Sequence, residues 1–331
     1  MIEKITEPIR LRDGMRLLFP VGTELHSACG IMFLGEHVKD VELIGYGSTL
    51  HLESTDGFRI LGCENVTIRG FKLNCSKING LESDGVHIAR YAYQKSRNIK
   101  IHHLVIDNPP RNGISVIGVD GLLIEDCMIK NAKTMSPMCG IDIEPNHQWE
   151  VLRNIKIKNC YFTGNKGRAI YINGSDVIVS PVNIEIDNIL IENDSNFCIG
   201  HDAENQAQGN ILTATIKRVR MINCTGGFYL GCREKYSYVS LQDCYIENPT
   251  SIERSPVWIY HNISGHKAGG IRFDNMIVKD TIKRNCCRIH PMEGEVGGTL
   301  FYDNPNLGNF YPVGLDAQDQ RLTVDARPVH P

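Results

Sequence analysis

The sequence predicts an all-β fold, a right-handed parallel β-helix (solenoid) of about 8–10 coils. Three observations predict it: one segment recurs along the chain, each copy alternates apolar and polar residues, and each copy ends in Asn near a turn. Such segments, recurring roughly every 23–33 residues without helical patterns between them, can pair only with their copies in neighbouring coils. Strand twist favours a right-handed coil. The clearest copies are NIKIHHLVIDN (98–108), LLIEDCMIKN (122–131), NIKIKNCYFTGN (154–165), VNIEIDNILIEN (182–193) and YVSLQDCYIEN (238–248).

A second, shorter strand follows each recurring segment and completes the predicted core. Examples are GFRIL (57–61), DGVHI (84–88), CGIDI (139–143) and RAIYI (168–172). When these strands are aligned, like apolar residues stack one strand spacing apart, which builds a continuous interior. The first inward column is Phe58, Val86, Ile114, Ile141, Ile170, Cys198, Phe228 and Val257. The second is Ile60, Ile88, Val116, Ile143, Ile172, Leu230 and Ile259, and Gly200 interrupts it.

Asparagines recur at the turn that closes each long segment. Asn tolerates the left-handed backbone conformation, and its amide can bond the next coil, so we interpret this ladder as structural. Its members are Asn108, Asn131, Asn193, Asn223 and Asn248.

The repeat pattern divides the chain into three parts of one domain. Residues 1–40 are predicted to form an N-terminal cap with the first strands, because an open β-helix end exposes strand edges. Residues 41–290 are predicted to form the β-helix itself. Residues 291–331 are rich in Gly, Pro, Asn and Asp, and we expect them to leave the helix and pack along it as an extension.

Composition narrows the possible functions. The net charge is -3 and the charges are well mixed, so the sequence predicts no nucleic-acid partner. No apolar stretch is long enough for a membrane span, and no signal peptide is visible, which favours a location in the cytoplasm or in a phage particle. The twelve cysteines show no zinc-site spacing and are predicted to be reduced core thiols, with one of the adjacent Cys286 and Cys287 exposed.

Chemistry is expected on the outward face of the shorter strands, where the fold leaves residues free to vary. The first outward column reads Arg59, His87, Ser115, Asp142, Tyr171, Ile199, Tyr229 and Trp258. The second reads Leu61, Ala89, Ile117, Glu144, Asn173, His201, Gly231 and Tyr260, with Asn146, Asp202 and His261 just beyond.

Asp142 and Glu144, in CGIDIEPN, form the centre of this face. Residues two apart on a strand project from one side, with alpha carbons roughly 6.5–7 Å apart. Carboxyl groups so placed could flank a glycosidic bond as acid and base, and their mutual repulsion should raise the pKa of one of them. Two alternatives remain open: ordinary solvated charge, or a calcium site in which Asn146 adds a third oxygen ligand.

Further residues are expected to assist. Asp84 lies at the turn that enters a strand, where it could also bond its own backbone, and His87 could tune a carboxylate or act as a base. Arg168 could bind a substrate carboxylate or pair with Glu144. The outward rings predict a stacking surface for sugars; they are Tyr171, Tyr229, Trp258 and Tyr260.

From residue 41 to about residue 290, the repeat pattern resembles the pectin-lyase-like superfamily of right-handed parallel β-helix proteins. That family includes polygalacturonase-type hydrolases, pectate and alginate lyases, uronate epimerases and phage tailspike depolymerases, and the resemblance implies a polysaccharide bound along one stacked strand. SDGVHI looks like the N-T-D-G-I-x-I strand of the polygalacturonase-like hydrolases, which implies a catalytic role for Asp84, although the next coil, RNGISV, lacks their paired aspartates. GIDIEPN is similar to a strand of phage-type depolymerases and supports Asp142 and Glu144.

Three functions follow as hypotheses. The first is a glycoside hydrolase with Asp142 and Glu144 as acid and base and Asp84 and His87 assisting. Its sugar would be held by Arg59, Asn146, Arg168, Tyr171, Asn173, His201, Asp202, Tyr229, Trp258 and Tyr260. The second is a polysaccharide lyase or uronate epimerase with calcium-assisted elimination. The third is a non-catalytic carbohydrate-binding or phage spike module. No nucleotide motif is present, so the expected cofactor is none or calcium, and the resemblance to phage proteins implies a possible homotrimer.

Overall fold

The computed structural model describes residues 2–53, 55–76, 83–147, 149–173, 182–202, 212–231, 237–260, 270–290, 296–306, 313–315 and 321–325. These residues form thirty strands and two parallel sheets, and the described part of the chain contains no helix able to span a bilayer. The strands up to residue 173 are β1 (Ile2–Ile5), β2 (Ile9–Arg10), β3 (Arg16–Leu18), β4 (Glu24–Ser27), β5 (Ile31–Glu36), β6 (Lys39–Glu53), β7 (Asp56–Leu61), β8 (Glu64–Ser76), β9 (Val86–Ala89), β10 (Ser96–His102), β11 (Val105–Asp107), β12 (Ile114–Val116), β13 (Val119–Glu125), β14 (Met128–Lys130), β15 (Ile141–Ile143), β16 (Leu152–Lys158), β17 (Tyr161–Thr163) and β18 (Ile170–Asn173). The remaining strands are β19 (Val182–Glu192), β20 (Phe197–Asp202), β21 (Leu212–Ile222), β22 (Gly226–Gly231), β23 (Ser237–Gln242), β24 (Tyr245–Glu247), β25 (Val257–Tyr260), β26 (Ile271–Lys279), β27 (Cys287–His290), β28 (Val296–Asp303), β29 (Val313–Leu315) and β30 (Arg321–Asp325).

The predicted parallel β-helix is confirmed. The long recurring segments form the larger sheet of 18 strands, and the shorter strands form the smaller sheet of 12 strands, one per coil. Nine strands of the smaller sheet, β7 to β27, lie between residues 41 and 290, in agreement with the predicted number of coils.

The core columns pair in the register that the sequence predicts along most of the helix. Ile114, for example, pairs with Val86 on one side and with Ile141 on the other, and all three side chains are fully buried. A buried side chain of this size contributes about 1.5–3 kcal/mol relative to exposure. Stacking of like residues therefore stabilises each coil through its neighbours.

One strand, β20, is shifted by a residue from its predicted register. Ile199 pairs with Ile170 and points inward, so Gly200, rather than Ile199, occupies the outward column opposite Tyr171. The sequence alignment placed Cys198 in the inward column, which is one residue out of register. A shift of one residue exchanges the two faces of a strand. His201 consequently turns into the core.

The asparagine ladder is confirmed at its turn. All five predicted members have positive φ, and three amides bond the preceding coil: Asn131 donates to Asp107 at 2.8 Å. Asn108 and Asn248 donate to Cys75 and Asn223, respectively. Two further columns of left-handed residues, typified by Asn98 and Asn159, lie at the beginning and in the middle of the long segments.

Both ends of the chain continue the two sheets. Strands within residues 1–40 pair in register with the coils that follow, β1 with β4, β2 with β5 and β3 with β6. The expectation that residues 291–331 leave the helix differs from the structure, since β28, β29 and β30 pair with β26, β27 and β28. Gly297 and Gly298 interrupt the alternation of β28, which concealed this strand in the sequence.

The eleven described cysteines are free thiols, and ten of them are buried. Cys127, Cys160 and Cys244 are among the buried thiols, in agreement with the prediction of core cysteines. The expectation that one of Cys286 and Cys287 is exposed is wrong, because Cys286 enters the core at the turn and Cys287 begins β27.

Candidate functional site

A ladder of buried side chains lies at the turns where the chain enters the smaller sheet. Asp56 Oδ1 accepts the backbone N–H of Asp84 at 2.8 Å, and Asp84 Oδ1 accepts that of Asn112 at 3.1 Å. Asn112 Oδ1 in turn accepts the N–H of Cys139 at 2.9 Å. One oxygen of Asp84 is therefore committed to the turn, as the alternative interpretation of this residue expected.

The second polar atom of each ladder residue faces the outward residue three positions later. Asp56 forms an ion pair with Arg59, whose Nε donates at 2.7 Å, and Asp84 Oδ2 lies 3.4 Å from His87 Nδ1. Burial raises the pKa of Asp56, and the charge of Arg59 opposes that effect. The ion pair with Asp56 therefore fixes the position of Arg59. The contact with Asp84 involves Nδ1 of His87, so Nε2 is the nitrogen that could contact a ligand.

Asp142 stands at the next rung, where Cys139 replaces the ladder carboxyl. Its Oδ2 accepts a hydrogen bond of 3.1 Å from Nδ2 of Asn112, and its buried Oδ1 has no hydrogen-bond partner among the described residues. Only 2% of Asp142 is exposed. Burial and then the charge of Glu144 raise its pKa to about 7, against the opposing charge of Arg111. The environment therefore holds a neutral carboxylic acid near neutral pH.

Glu144 follows two residues later on the same outward face and is more exposed. It is half-buried, and its Oε1 accepts a hydrogen bond of 2.9 Å from Nδ2 of Asn173 in the next coil. The two carboxyl groups therefore occupy unequal environments, one enclosed and one open to solvent. Such inequality separates a proton donor from a carboxylate.

Asn146, the third oxygen ligand of the calcium hypothesis, lies beyond the end of β15. Its side chain is exposed, and its backbone N–H donates to the buried carboxylate of Glu150, as does that of His147. The alternation that aligns Asp142 with Glu144 stops before Asn146, because the chain turns here. A calcium site of these three residues stays a prediction.

Arg168 lies flat across the neighbouring coils. Its guanidinium carbon is 4.3 Å from the centroid of Tyr171 and 5.4 Å from that of Tyr229. A Cβ on Gly200 would collide with the Arg168 side chain, so glycine at this rung is needed for the stack. The Nε of Arg168 is buried without a hydrogen-bond partner in the described part of the chain, and Arg168 forms no ion pair there with Glu144.

Three of the four rings predicted to form an aromatic surface, Tyr229, Trp258 and Tyr260, lie together, and Phe197 joins them. Trp258 lies 6.3 Å from Tyr229 and 5.9 Å from Tyr260, measured between ring centroids. Phe197, the first residue of β20, packs 5.7 Å from Tyr229 and 5.9 Å from Trp258. The buried Nε1 of Trp258 has no partner among the described residues. Half-buried rings with an unused donor suit contact with a hydroxylated ligand.

His201 does not belong to this face, which corrects a predicted binding residue. It pairs with Ile172 and Leu230 in the inward column and is fully buried. Burial lowers its pKa to about 4. Asp202 takes the outward position beside Asn173, although its side chain lies outside the described residues, as does His261.

Sequence reasoning missed the residues that lie in turns. Asn112 and Arg111 surround Asp142, yet neither belongs to a strand column. A cavity of about 1050 Å³ near the end of β9 is likewise lined mostly by residues between strands. Arg90 lies there, 5.1 Å from the ring of Trp149, and its Nε is 3.5 Å from Glu150. Turn residues follow no period, so a search by period overlooks them.

The chain matches a known protein family and one curated relative. A family model described as a right handed beta helix region matches residues 24–212 and 85–247. Over 172 residues the chain is 30% identical to the uncharacterized protein YclG of Bacillus subtilis (strain 168), a stretch that covers 47% of this chain and 27% of that protein. The chain thus spans about a quarter of that relative's length.

Two solved structures are similar to the fold. The catalytic unit of the thermostable GH87 alpha-1,3-glucanase from Streptomyces thermodiastaticus matches with a TM-score of 0.57 and 12% identity, over 98% of this chain and 60% of that one. The endo-xylogalacturonan hydrolase from Aspergillus tubingensis matches with a TM-score of 0.41 and 11% identity, over 96% of this chain and 92% of that one.

Proposed function

This chain belongs to the family of right-handed β-helix proteins, and from that premise we propose that it is a carbohydrate-active enzyme that hydrolyses glycosidic bonds. The polysaccharide would lie along the outward columns of the smaller sheet. Asp142 would donate the proton to the leaving oxygen, and Glu144 would act on the opposite side as base or nucleophile.

One observation carries the proposal: two carboxyl groups on one face occupy unequal environments, Asp142 enclosed and Glu144 half-buried. The pKa of Asp142 is raised to about 7, so this residue carries a transferable proton. Glu144 is half-buried and stabilised by the Asn173 amide. A general acid works best when its pKa lies near the working pH, and its partner must remain available to water or substrate.

The neighbouring side chains support a sugar ligand. Tyr229, Trp258 and Tyr260 present half-buried rings on the same sheet, three or four coils from Asp142. Aromatic faces cover the apolar faces of sugar rings, so these side chains are suited to hold a polysaccharide. The GH87 α-1,3-glucanase, which shares the fold, is consistent with this substrate class.

The test is release of new reducing ends from a panel of neutral and uronate-containing polysaccharides. We expect Asp142→Asn and Glu144→Gln each to lower kcat by about 10²–10⁴-fold, the usual contribution of a positioned acid or base. Asp126→Asn is the matched control, because Asp126 is exposed on the larger sheet at a positive φ that Asn tolerates. Full activity in both active-face variants would contradict the proposal.

A β-eliminating lyase or epimerase is the second candidate, and Arg168 favours it. A guanidinium with an unused Nε beside Tyr171 could bind a uronate carboxylate, and the Tyr171 phenol could exchange the C5 proton. Products distinguish the two reactions: elimination gives an unsaturated sugar that absorbs in the ultraviolet, whereas hydrolysis does not. Elimination that calcium chelation abolishes would also support the calcium hypothesis.

The variants Asp142→Asn and Glu144→Gln also distinguish a non-catalytic binding module from the hydrolase and from the lyase or epimerase. Such a module would give no product, and polymer affinity would survive Asp142→Asn and Glu144→Gln. Trp258→Ala should weaken affinity in every case, because it removes an aromatic contact.

A further inference from the structure

A cluster of three ligand-type side chains lies on the outward face of the larger sheet, near the N-terminal end. Glu24 and His26 are two residues apart on β4 and project to one side. His51 on β6 pairs directly with His26 across the coil. The two imidazoles stack with centroids 4.1 Å apart and an angle of 14° between their planes.

The donor atoms of these residues converge on one point. Glu24 Oε2 is 4.0 Å from His26 Nε2 and 3.7 Å from His51 Nε2, and all three atoms lie within 4.8 Å of one another. A point equidistant from atoms so spaced lies roughly 2.5 Å from each, a few tenths of an ångström beyond zinc bond lengths of about 2.0–2.2 Å. The stacked rings would also have to turn out of their parallel arrangement, because a metal ion binds in the plane of an imidazole ring.

The nitrogens that face this point are unusual. Both Nε2 atoms are shielded from solvent, yet neither has a hydrogen-bond partner in the described residues, and the carboxylate lies too far away to supply one. A buried imidazole nitrogen without a partner is unfavourable, and a bound cation would satisfy both at once.

We propose that Glu24, His26 and His51 bind a divalent first-row transition metal ion such as Zn²⁺, with solvent completing the coordination. Two imidazoles and one carboxylate are the donors that such ions prefer, whereas calcium and magnesium prefer oxygen alone. The ion would clip β4 to β6 and so stabilise the first coils.

The site is separate from the proposed sugar face. It lies on the larger sheet, whereas Asp142 and Glu144 lie on the smaller sheet several coils away. Its sequence signal is weak, since His26 and His51 are one coil apart in the chain and match no short metal motif. Only the stacking of coils brings them together.

The test is titration of the metal-free purified protein with ZnCl₂, followed by calorimetry and thermal unfolding. We expect one ion per chain and, at 100 times Kd, a rise in Tm on the order of 4 °C. Loss of a residue that merely orients a ligand weakens metal affinity 10–100-fold, so His26→Gln or His51→Gln should weaken it by about 100-fold or more. The exposed His147 gives the control, His147→Gln.

Thiols are the main competitors for zinc, and Cys29, the partly exposed cysteine near β4, must be tested. Cys29→Ser should leave affinity unchanged, and the visible spectrum with Co²⁺ should show nitrogen and oxygen ligands without thiolate bands. Stoichiometric binding that survives His26→Gln and His51→Gln together, or that disappears in Cys29→Ser, would overturn the proposal. So would the absence of stoichiometric binding by the parent protein.

Discussion

Replacement of Asp142 by Asn should stabilise the protein at alkaline pH, because the folded chain ionises this carboxyl with difficulty. In the unfolded chain its pKa is 3.8, and in the folded chain burial and the charge of Glu144 raise it to about 7. Each unit between two pKa values corresponds to about 1.4 kcal/mol, so ionised Asp142 destabilises the folded state by about 4 kcal/mol above pH 7.

Asparagine removes that charge but introduces an NH₂ group where Oδ1 has no partner. An unsatisfied buried donor costs about 1–3 kcal/mol, so the net gain in unfolding free energy at pH 8 should be about 1–3 kcal/mol. The gain must shrink as the pH falls through 7. Below about pH 4, where Asp142 is neutral in both folded and unfolded chains, only the cost of the unsatisfied donor is left, and the variant should be about 1–3 kcal/mol less stable than the parent. The Asp142→Asn variant should also lose activity, as expected from the trade-off between stability and activity.

Urea unfolding of the parent and of Asp142→Asn between pH 4 and pH 8 measures this difference. Asp126→Asn, an exposed matched control, should change stability little at any pH. A difference between Asp142→Asn and the parent that stays constant over this range would refute the reasoning, since it would mean that Asp142 is already ionised at pH 4–5.

Three further substitutions probe other parts of the account. Asn112→Ala should lower stability by about 2–4 kcal/mol in urea, because the N–H of Cys139 and the ladder lose their partner; an unchanged midpoint would contradict the ladder. Gly200→Ala should displace the Arg168 side chain and cost about 1–3 kcal/mol, which a crystal structure and thermal melts would reveal. His201→Leu should weaken acid destabilisation between pH 6.5 and about 4: burial lowers the pKa of His201 to about 4, so the folded state loses stability as the pH falls through this range, and the apolar variant should not. Equal pH profiles for His201→Leu and the parent would place this residue outside the core.

Periodicity predicted the fold because a parallel β-helix repeats its physical requirements in each coil. Val86, Ile114 and Ile141 occupy equivalent positions, and the sequence shows them as one column. The outward placement of Asp142 and Glu144 followed from the same periodicity, because residues two apart on a strand point to the same side. Periodicity does not show how deeply an outward residue is buried. Asp142 is enclosed because Asn112, in a turn of the preceding coil, packs against it and donates a hydrogen bond to its carboxyl group.

The errors also have physical causes. His201 was assigned to the surface because Cys198 was aligned with the inward column, yet a register one residue away places His201 in the core. The strand β28 was overlooked because Gly297 and Gly298 carry no side chain that could reveal an alternation. The cluster of Glu24, His26 and His51 depends on contact between neighbouring coils. A short sequence motif does not predict such a contact.

The central claim is that Asp142 is an enclosed acid whose pKa lies near 7, and carboxyl ¹³C NMR titration of Asp142 tests it most directly. The account predicts a midpoint near pH 7 in the parent protein. In Glu144→Gln the midpoint should fall, because the neighbouring negative charge has gone. A midpoint near the ordinary value of 3.8, or one that Glu144→Gln leaves unmoved, would contradict the claim.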